Sequence, residues 1–135
     1  MMTKFTIPGE PMGKARPRIC RNGHSFTPKK TVNYETLVKE MYSIAKGEYY
    51  ENKQLAITVK AYFSIPESKS RKQKELMING VIQPTKKPDC DNILKIICDA
   101  LNGVAYKDDS QIVAARITKW YADKPEVVVE ISEVS

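Results

Sequence analysis

Residues 91 to 102, Asp-Asn-Ile-Leu-Lys-Ile-Ile-Cys-Asp-Ala-Leu-Asn, constrain this chain more than any other stretch. At roughly 100° per residue, Asp91, Asn92, Lys95, Asp99 and Asn102 fall within one arc of about 100°. Ile93, Leu94, Ile96, Ile97, Cys98, Ala100 and Leu101 occupy the rest. That pattern is a helix with most of its circumference buried, and it needs other layers around it. Gly103 is well placed to terminate it. The polar side is more unusual. Asp89 and Asp91 open the segment and Asp108 and Asp109 follow it, which puts these four carboxylates and Lys95 within 21 residues of an otherwise basic chain. Carboxylates gathered this way repel one another unless a cation sits between them, and hard cations such as Mg²⁺ or Mn²⁺ take oxygen ligands.

Around this helix the periodicities lay out a small α/β domain. Residues 3 to 8 suit a first strand, and residues 31 to 46 a helix with Tyr34, Leu37, Val38, Met41, Ile44 and Ala45 at helical spacing. Leu55, Ile57, Val59, Ala61 and Phe63 alternate with polar neighbours over a strand from 53 to 64, which Pro66 ends. A short basic helix covers 69 to 78 and stops at Asn79-Gly80. Residues 110 to 121 and 126 to 134 read as a strand pair turning at Ala122-Asp123-Lys124-Pro125. Residues 9 to 30, with three prolines and three glycines, read as a long basic loop, of a length that is usually functional or mobile. The expected architecture is one domain over 1 to 135, a two-layer α/β fold with helices packed on a mixed sheet. Trp120 is assigned to the core, and Tyr106 to a core or surface role ahead of base stacking.

At 135 residues the chain can bury a real core. No segment approaches the length of a bilayer-spanning helix, and the N-terminus lacks the apolar run of a signal peptide, so the expected location is cytoplasmic, with no membrane partner. Three cysteines, Cys20, Cys90 and Cys98, form no CxxC pair, and His24 is the single histidine. This argues against structural zinc and suits a reducing compartment. The net charge of +6 is unevenly spread. Residues 11 to 34 hold Lys14, Arg16, Arg18, Arg21, Lys29 and Lys30 without an acid, Lys69, Arg71, Lys72 and Lys74 form a second cluster, and Lys86-Lys87 a third. Of these, Lys14, Arg16, Arg18, Lys29, Lys30, Lys69, Arg71 and Lys72 are candidates to contact the phosphates of a nucleic acid.

Chain geometry divides the acidic cluster into roles. Pro88 biases Lys87 away from helix, so the helix starts near Asp89, and Asp91 meets the positive end of its dipole. A helix cap needs one such residue; two aspartates and Asn92 exceed it. A helix over 91 to 102 spans about 16 Å. Residues 103 to 109 reach at most about 23 Å, enough to return Asp109 beside Asp89 and Asp91 if they run nearly straight. Asp108 then points the opposite way, outside the set of ligands. Asp99 lies about 12 Å along the axis from Asp91, too far to share one ion, and at i+4 from Lys95 it serves as that lysine's orienting partner. A plain surface ladder of Asp91, Lys95 and Asp99 explains the same spacing.

Metal ions on Asp89, Asp91 and Asp109 suit phosphodiester hydrolysis, with Lys95 stabilising the negative charge that develops. The lone histidine removes an HNH-type nuclease. Three alternatives stay open. A Mn²⁺-dependent nucleotide-sugar transferase would use the DxD but not the basic clusters. A non-enzymatic DNA-binding module would use the clusters but not the carboxylates. A PD-(D/E)xK nuclease would need a lysine that Asp109-Ser110-Gln111 lacks.

Two segments carry a resemblance. Lys87-Pro88-Asp89-Cys90-Asp91-Asn92-Ile93-Leu94-Lys95, continuing through Asp99-Ala100-Leu101-Asn102-Gly103 and Asp108-Asp109-Ser110-Gln111-Ile112, resembles the RusA family of Holliday junction resolvases, as does Gly13-Lys14-Ala15-Arg16-Pro17-Arg18. The match is dense over 85 to 113 and sparser before it. The resemblance implies a small α/β fold and a homodimeric, Mg²⁺-dependent endodeoxyribonuclease that nicks four-way junction DNA symmetrically, in recombination and repair. It maps the family's catalytic aspartates onto Asp89, Asp91 and Asp109 and its essential lysine onto Lys95, leaving Asn92, Asp99 and Asp108 around them. Family members are often carried by phages and prophages. The long basic loop departs from the pattern and leaves open a nuclease of broader branched-DNA specificity. Junction symmetry independently favours a dimer, since a two-fold pair of subunits presents identical sites to opposed strands.

Overall fold

The computed structural model describes residues 1–15 and 18–134. In chain order the elements are β1 (Met2–Pro8), the short strands β2 (Arg18–Ile19) and β3 (Ser25–Phe26), α1 (Lys29–Ile44), β4 (Leu55–Ser64), α2 (Arg71–Ile78), α3 (Cys90–Ala100), a 3₁₀ turn (Asp109–Gln111), β5 (Ile112–Ala122) and β6 (Glu126–Glu133). The main sheet runs β1-β6-β4-β5, with β4 and β5 parallel and the other neighbours antiparallel. It is the mixed sheet of the expected α/β fold.

Alternation decides which face is covered. Leu55, Ile57, Val59, Ala61 and Phe63 of β4 are buried, as are Val127, Val129 and Ile131 of β6 and Phe5 and Ile7 of β1. They form one cluster with Tyr34, Val38 and Tyr42 of α1 and Ile93, Ile96 and Ile97 of α3. The wide apolar arc of α3 is thus met by α1 on one side and the sheet on another. Among the described residues, no helix is long and apolar enough to cross a membrane.

Three expectations change. Residues 9 to 30 are not one unbroken loop: Arg18 pairs with Phe26 and Ile19 with Ser25 around a turn in which Gly23 takes a positive φ of 84°. That conformation favours glycine because it lacks a Cβ. Second, β5 and β6 are consecutive but not paired, because β4 lies between them and the turn at 123 to 125 crosses its end. β4 buries every second residue along most of its length, so a central place satisfies both of its hydrogen-bonding edges. Third, Trp120 is half-buried, not core. It pairs with Tyr62, out of phase with the buried residues of β4, and so faces away from α1 and α3. Its indole N–H donates to Thr118 Oγ1 at 2.9 Å. Tyr106 is fully buried, and its hydroxyl donates to the Cys98 carbonyl at 2.7 Å.

Candidate active site

The start of α3 exposes two aspartates. Asp89 occupies the N-cap position in extended conformation (φ −71°, ψ 157°), yet its side chain makes no capping hydrogen bond. Asp91 stands in the first turn, also exposed, and so does Asn92. Among the described residues neither carboxylate has a hydrogen-bond or ion-pair partner, and the positive end of the helix dipole lies beside them. The Lys87–Pro88 peptide that leads into this turn is cis.

One to two turns further on, Lys95 and Asp99 pair at 3.4 Å, as their i,i+4 spacing predicts. Lys95 keeps its side chain 61% exposed while Asp99 retains 21%, so the lysine reaches outward from a partly sunken carboxylate.

The returning segment is fixed by hydrogen bonds. Tyr106 ties it to α3 through Cys98, and Tyr50 N–H donates to the Ala105 carbonyl at 2.7 Å. Gln111 then clamps the turn. Its Oε1 accepts from Lys107 N–H at 2.9 Å, and its Nε2 donates to the carbonyls of Tyr50 and Lys53 at 2.9 and 3.2 Å. Asp108 completes a capping box with Gln111 and accepts from Ser110 N–H at 3.1 Å. Those bonds hold its carboxyl below the ordinary range, because they favour the charged form. The two adjacent aspartates therefore differ: Asp108 is spent on its own turn, whereas Asp109 is half-buried and faces α3.

Asp109 does not complete the expected triad of carboxylates. Among the described residues, no three His, Cys, Asp or Glu side chains stand close enough together to hold a metal ion. Asp109 instead lies close enough to Asp99 and Lys95 for their charges to act on it. Burial raises its pKa first, the charges of Asp108 and Asp99 add to this, and Lys95 opposes them. The return segment turns at Gly103 (φ 77°) and bends again into the 3₁₀ turn, so the near-straight path back to Asp89 is not taken. The donor set is still all carboxylate oxygen, which suits a hard divalent cation, and the repulsion at Asp109 is of the kind such a cation relieves.

The basic residues also separate. Lys29 and Lys30 are exposed at the start of α1, and Lys69, Arg71 and Lys72 at the start of α2. Arg16 and the Arg18 side chain lie outside the described residues. Lys14 is different again. Its side chain is only 20% exposed, and its ammonium meets Glu35 at 2.9 Å and Asp99 at 3.3 Å. Burial acts to lower its pKa, but Glu35 and then Asp99 outweigh it and the net shift is upward.

Sequence reasoning missed Glu35, Gln111 and Lys119. Lys119 donates to the Lys86 carbonyl, and the two ammoniums lie 5.2 and 5.7 Å from the Phe63 ring centroid. The signal for Glu35 was available, since it is the first acid after the long basic run. Nothing in the sequence pairs Gln111 with Tyr50.

The chain is similar to known proteins over most of its length. The family profile described as Endodeoxyribonuclease RusA matches residues 8–132. A protein of Bacillus subtilis (strain 168), named Uncharacterized protein YqaN, is 41% identical over 98% of this chain and 96% of its own length. The Crossover junction endodeoxyribonuclease rusA of Lactococcus phage r1t is 30% identical over 81% of this chain and 77% of its own.

Proposed function

The chain belongs to the RusA endodeoxyribonuclease family, and from that premise we propose that it resolves Holliday junctions as a divalent-metal-dependent homodimer, nicking opposed strands symmetrically and leaving 5′-phosphate ends. The observation that carries this reading is the exposed arc of α3. There Asp89 makes no capping hydrogen bond and Asp91 stands exposed, Lys95 and Asp99 follow along the same face, and Asp109 faces Asp99.

In this reading Asp89, Asp91 and Asp109 would hold Mg²⁺ or Mn²⁺, with Asp109 drawn toward the other two on binding, and the ion would supply Lewis-acid activation of the scissile phosphate and of a water. Lys95 reaches outward from Asp99 toward the phosphate and stabilises the negative charge of the transition state. Asp99 orients Lys95, Asn92 lies beside the aspartates, and Asp108 builds the turn that carries Asp109.

The exposed cations support DNA as the substrate. Lys29-Lys30 and Arg71-Lys72 open α1 and α2, and neither helix has an acid in its first turn. Positive side chains at the positive end of a helix dipole disfavour the helix alone and favour a bound phosphate. Lys69 stands just outside α2 and adds to the same patch. A two-fold dimer matches the two equivalent strands of a four-way junction. Such chemistry belongs to recombination and repair, in the cytoplasm of a bacterium or of a phage-infected or prophage-bearing cell.

The direct test incubates the protein with labelled four-way junction and with matched linear duplex, with and without Mg²⁺. Paired nicks on the junction alone, dependent on the ion, support the reading. Equal cutting of linear duplex contradicts junction selectivity.

A further inference from the structure

We infer that Lys14 is a positioning residue of the catalytic centre, held between Glu35 of α1 and Asp99 of α3, and that Glu35 is its anchor. The inference rests on the reading of the site given above and assigns two residues beyond it. Lys14 lies in the basic segment ahead of α1 and, on sequence alone, belongs with the phosphate-contacting lysines. Its surroundings say otherwise. Glu35, Lys14 and Asp99 keep only 16%, 20% and 21% of their side chains exposed, against 61% for Lys95. An ammonium already engaged by two carboxylates in a partly sunken setting is poorly available to a DNA backbone.

The backbone is engaged as well. Lys14 N–H donates to the Asn92 carbonyl at 3.1 Å, in the first turn of α3. Gly13 packs so closely there that a Cβ would lie 3.0 Å from the Cβ atoms of both Asn92 and Pro88. The segment is thus clipped to the helix start at its backbone and to the last turn of the helix by its side chain.

Charge explains what the clip does. Asp99 is shared by Lys14 at 3.3 Å and Lys95 at 3.4 Å, and its charge also acts on Asp109. With Lys14 in place, Asp99 is neutralised from behind. It then holds Lys95 without claiming its full charge and repels Asp109 less. Without Lys14, Lys95 is the one cation left paired with Asp99 among the described residues, and it is drawn down from the phosphate.

The test compares wild type with Lys14→Met, Lys14→Arg and Glu35→Gln. Lys14→Met keeps the side chain's volume and apolar stem. For each protein three quantities are measured: single-turnover cleavage of four-way junction at saturating protein with Mg²⁺, junction affinity without divalent metal, and the melting temperature. The expected result is a cleavage rate lowered about tenfold or more in Lys14→Met, with metal-free affinity within about threefold of wild type. Lys14→Arg recovers most of the rate, and Glu35→Gln gives a smaller loss of the same kind. Should Lys14→Met not fold, Glu35→Gln and Lys14→Arg carry the same comparison.

Two results overturn the inference while leaving the function intact. One is loss of metal-free affinity with an unchanged saturated rate, which makes Lys14 a phosphate contact. The other is an unchanged rate in both Lys14→Met and Glu35→Gln. Absence of cleavage by wild type overturns the functional reading itself, and this inference with it.

Discussion

Gly13 lies so close to Asn92 that a Cβ at position 13 would stand 3.0 Å from the Asn92 Cβ, tighter than ordinary side-chain contacts allow. This approach seats the basic segment on the first turn of α3, where Lys14 N–H reaches the Asn92 carbonyl. Gly13→Val should force the two elements apart and cost about 1–3 kcal/mol of stability. Urea unfolding measures this, and an unchanged midpoint would show that the close approach is not maintained in solution.

Asp108 and Asp109 are neighbours with different work. Asp108→Asn keeps an acceptor for Ser110 N–H and should cleave junctions within a few-fold of wild type. Asp109→Asn should lose about 10²-fold or more. Single-turnover rates at saturating protein separate them, and equal losses in the two variants would contradict the division of roles.

Gln111 bonds four backbone groups, on Lys107, Asp108, Tyr50 and Lys53. Gln111→Leu should cost about 1–3 kcal/mol, chiefly by leaving these groups without their partner. Amide hydrogen exchange over residues 105 to 112 should accelerate more than over β6. Uniform protection across both segments would argue against a local clamp.

The thiols give a check on the core. Cys20 is exposed, whereas Cys98 is 8% exposed and burial pushes its thiol up to about 11. Thiolate is the reactive form, so at neutral pH a thiol reagent should modify Cys20 quickly and Cys98 only on unfolding. Rapid modification of Cys98 in the folded protein would contradict the packing of α3.

Salt dependence tests the basic patch. Replacing Lys69, Arg71 and Lys72 together with Gln should reduce the slope of log affinity against log salt by up to about three, close to one per lost phosphate contact. Lys14→Met should leave the slope unchanged. A reversed pattern would return Lys14 to the DNA surface.

How far the sequence exposes this molecule depends on whether local pattern or distant contact sets each feature. The α3 arc was legible because 3.6-residue periodicity places Asp91, Lys95 and Asp99 on one side, whatever surrounds the helix. The Lys95–Asp99 pair followed from spacing alone. Strand alternation likewise found β4 and β6 but not their adjacency, because pairing depends on hydrogen-bond partners far apart in the chain. Trp120 was misplaced for a related reason: a large aromatic in a strand is buried only if its phase matches the covered face. The path of Asp109 depended on a turn held by Gln111 and Tyr50, which are 61 residues apart. The second partner of Asp99 was hidden because Lys14 sits in a run of cations that reads, residue by residue, as a surface for phosphate.

The most direct measurement of the site compares wild type and Asp91→Asn on one labelled four-way junction, recording cleavage with Mg²⁺ and binding without it. Asp91 is exposed in the first turn of α3 and supports no part of the core, so the substitution should leave the fold intact. The expected result is loss of cleavage with junction affinity equal to or tighter than wild type, since one carboxylate no longer repels the DNA. Cleavage at the wild-type rate by Asp91→Asn would contradict the assignment of the active site to the start of α3.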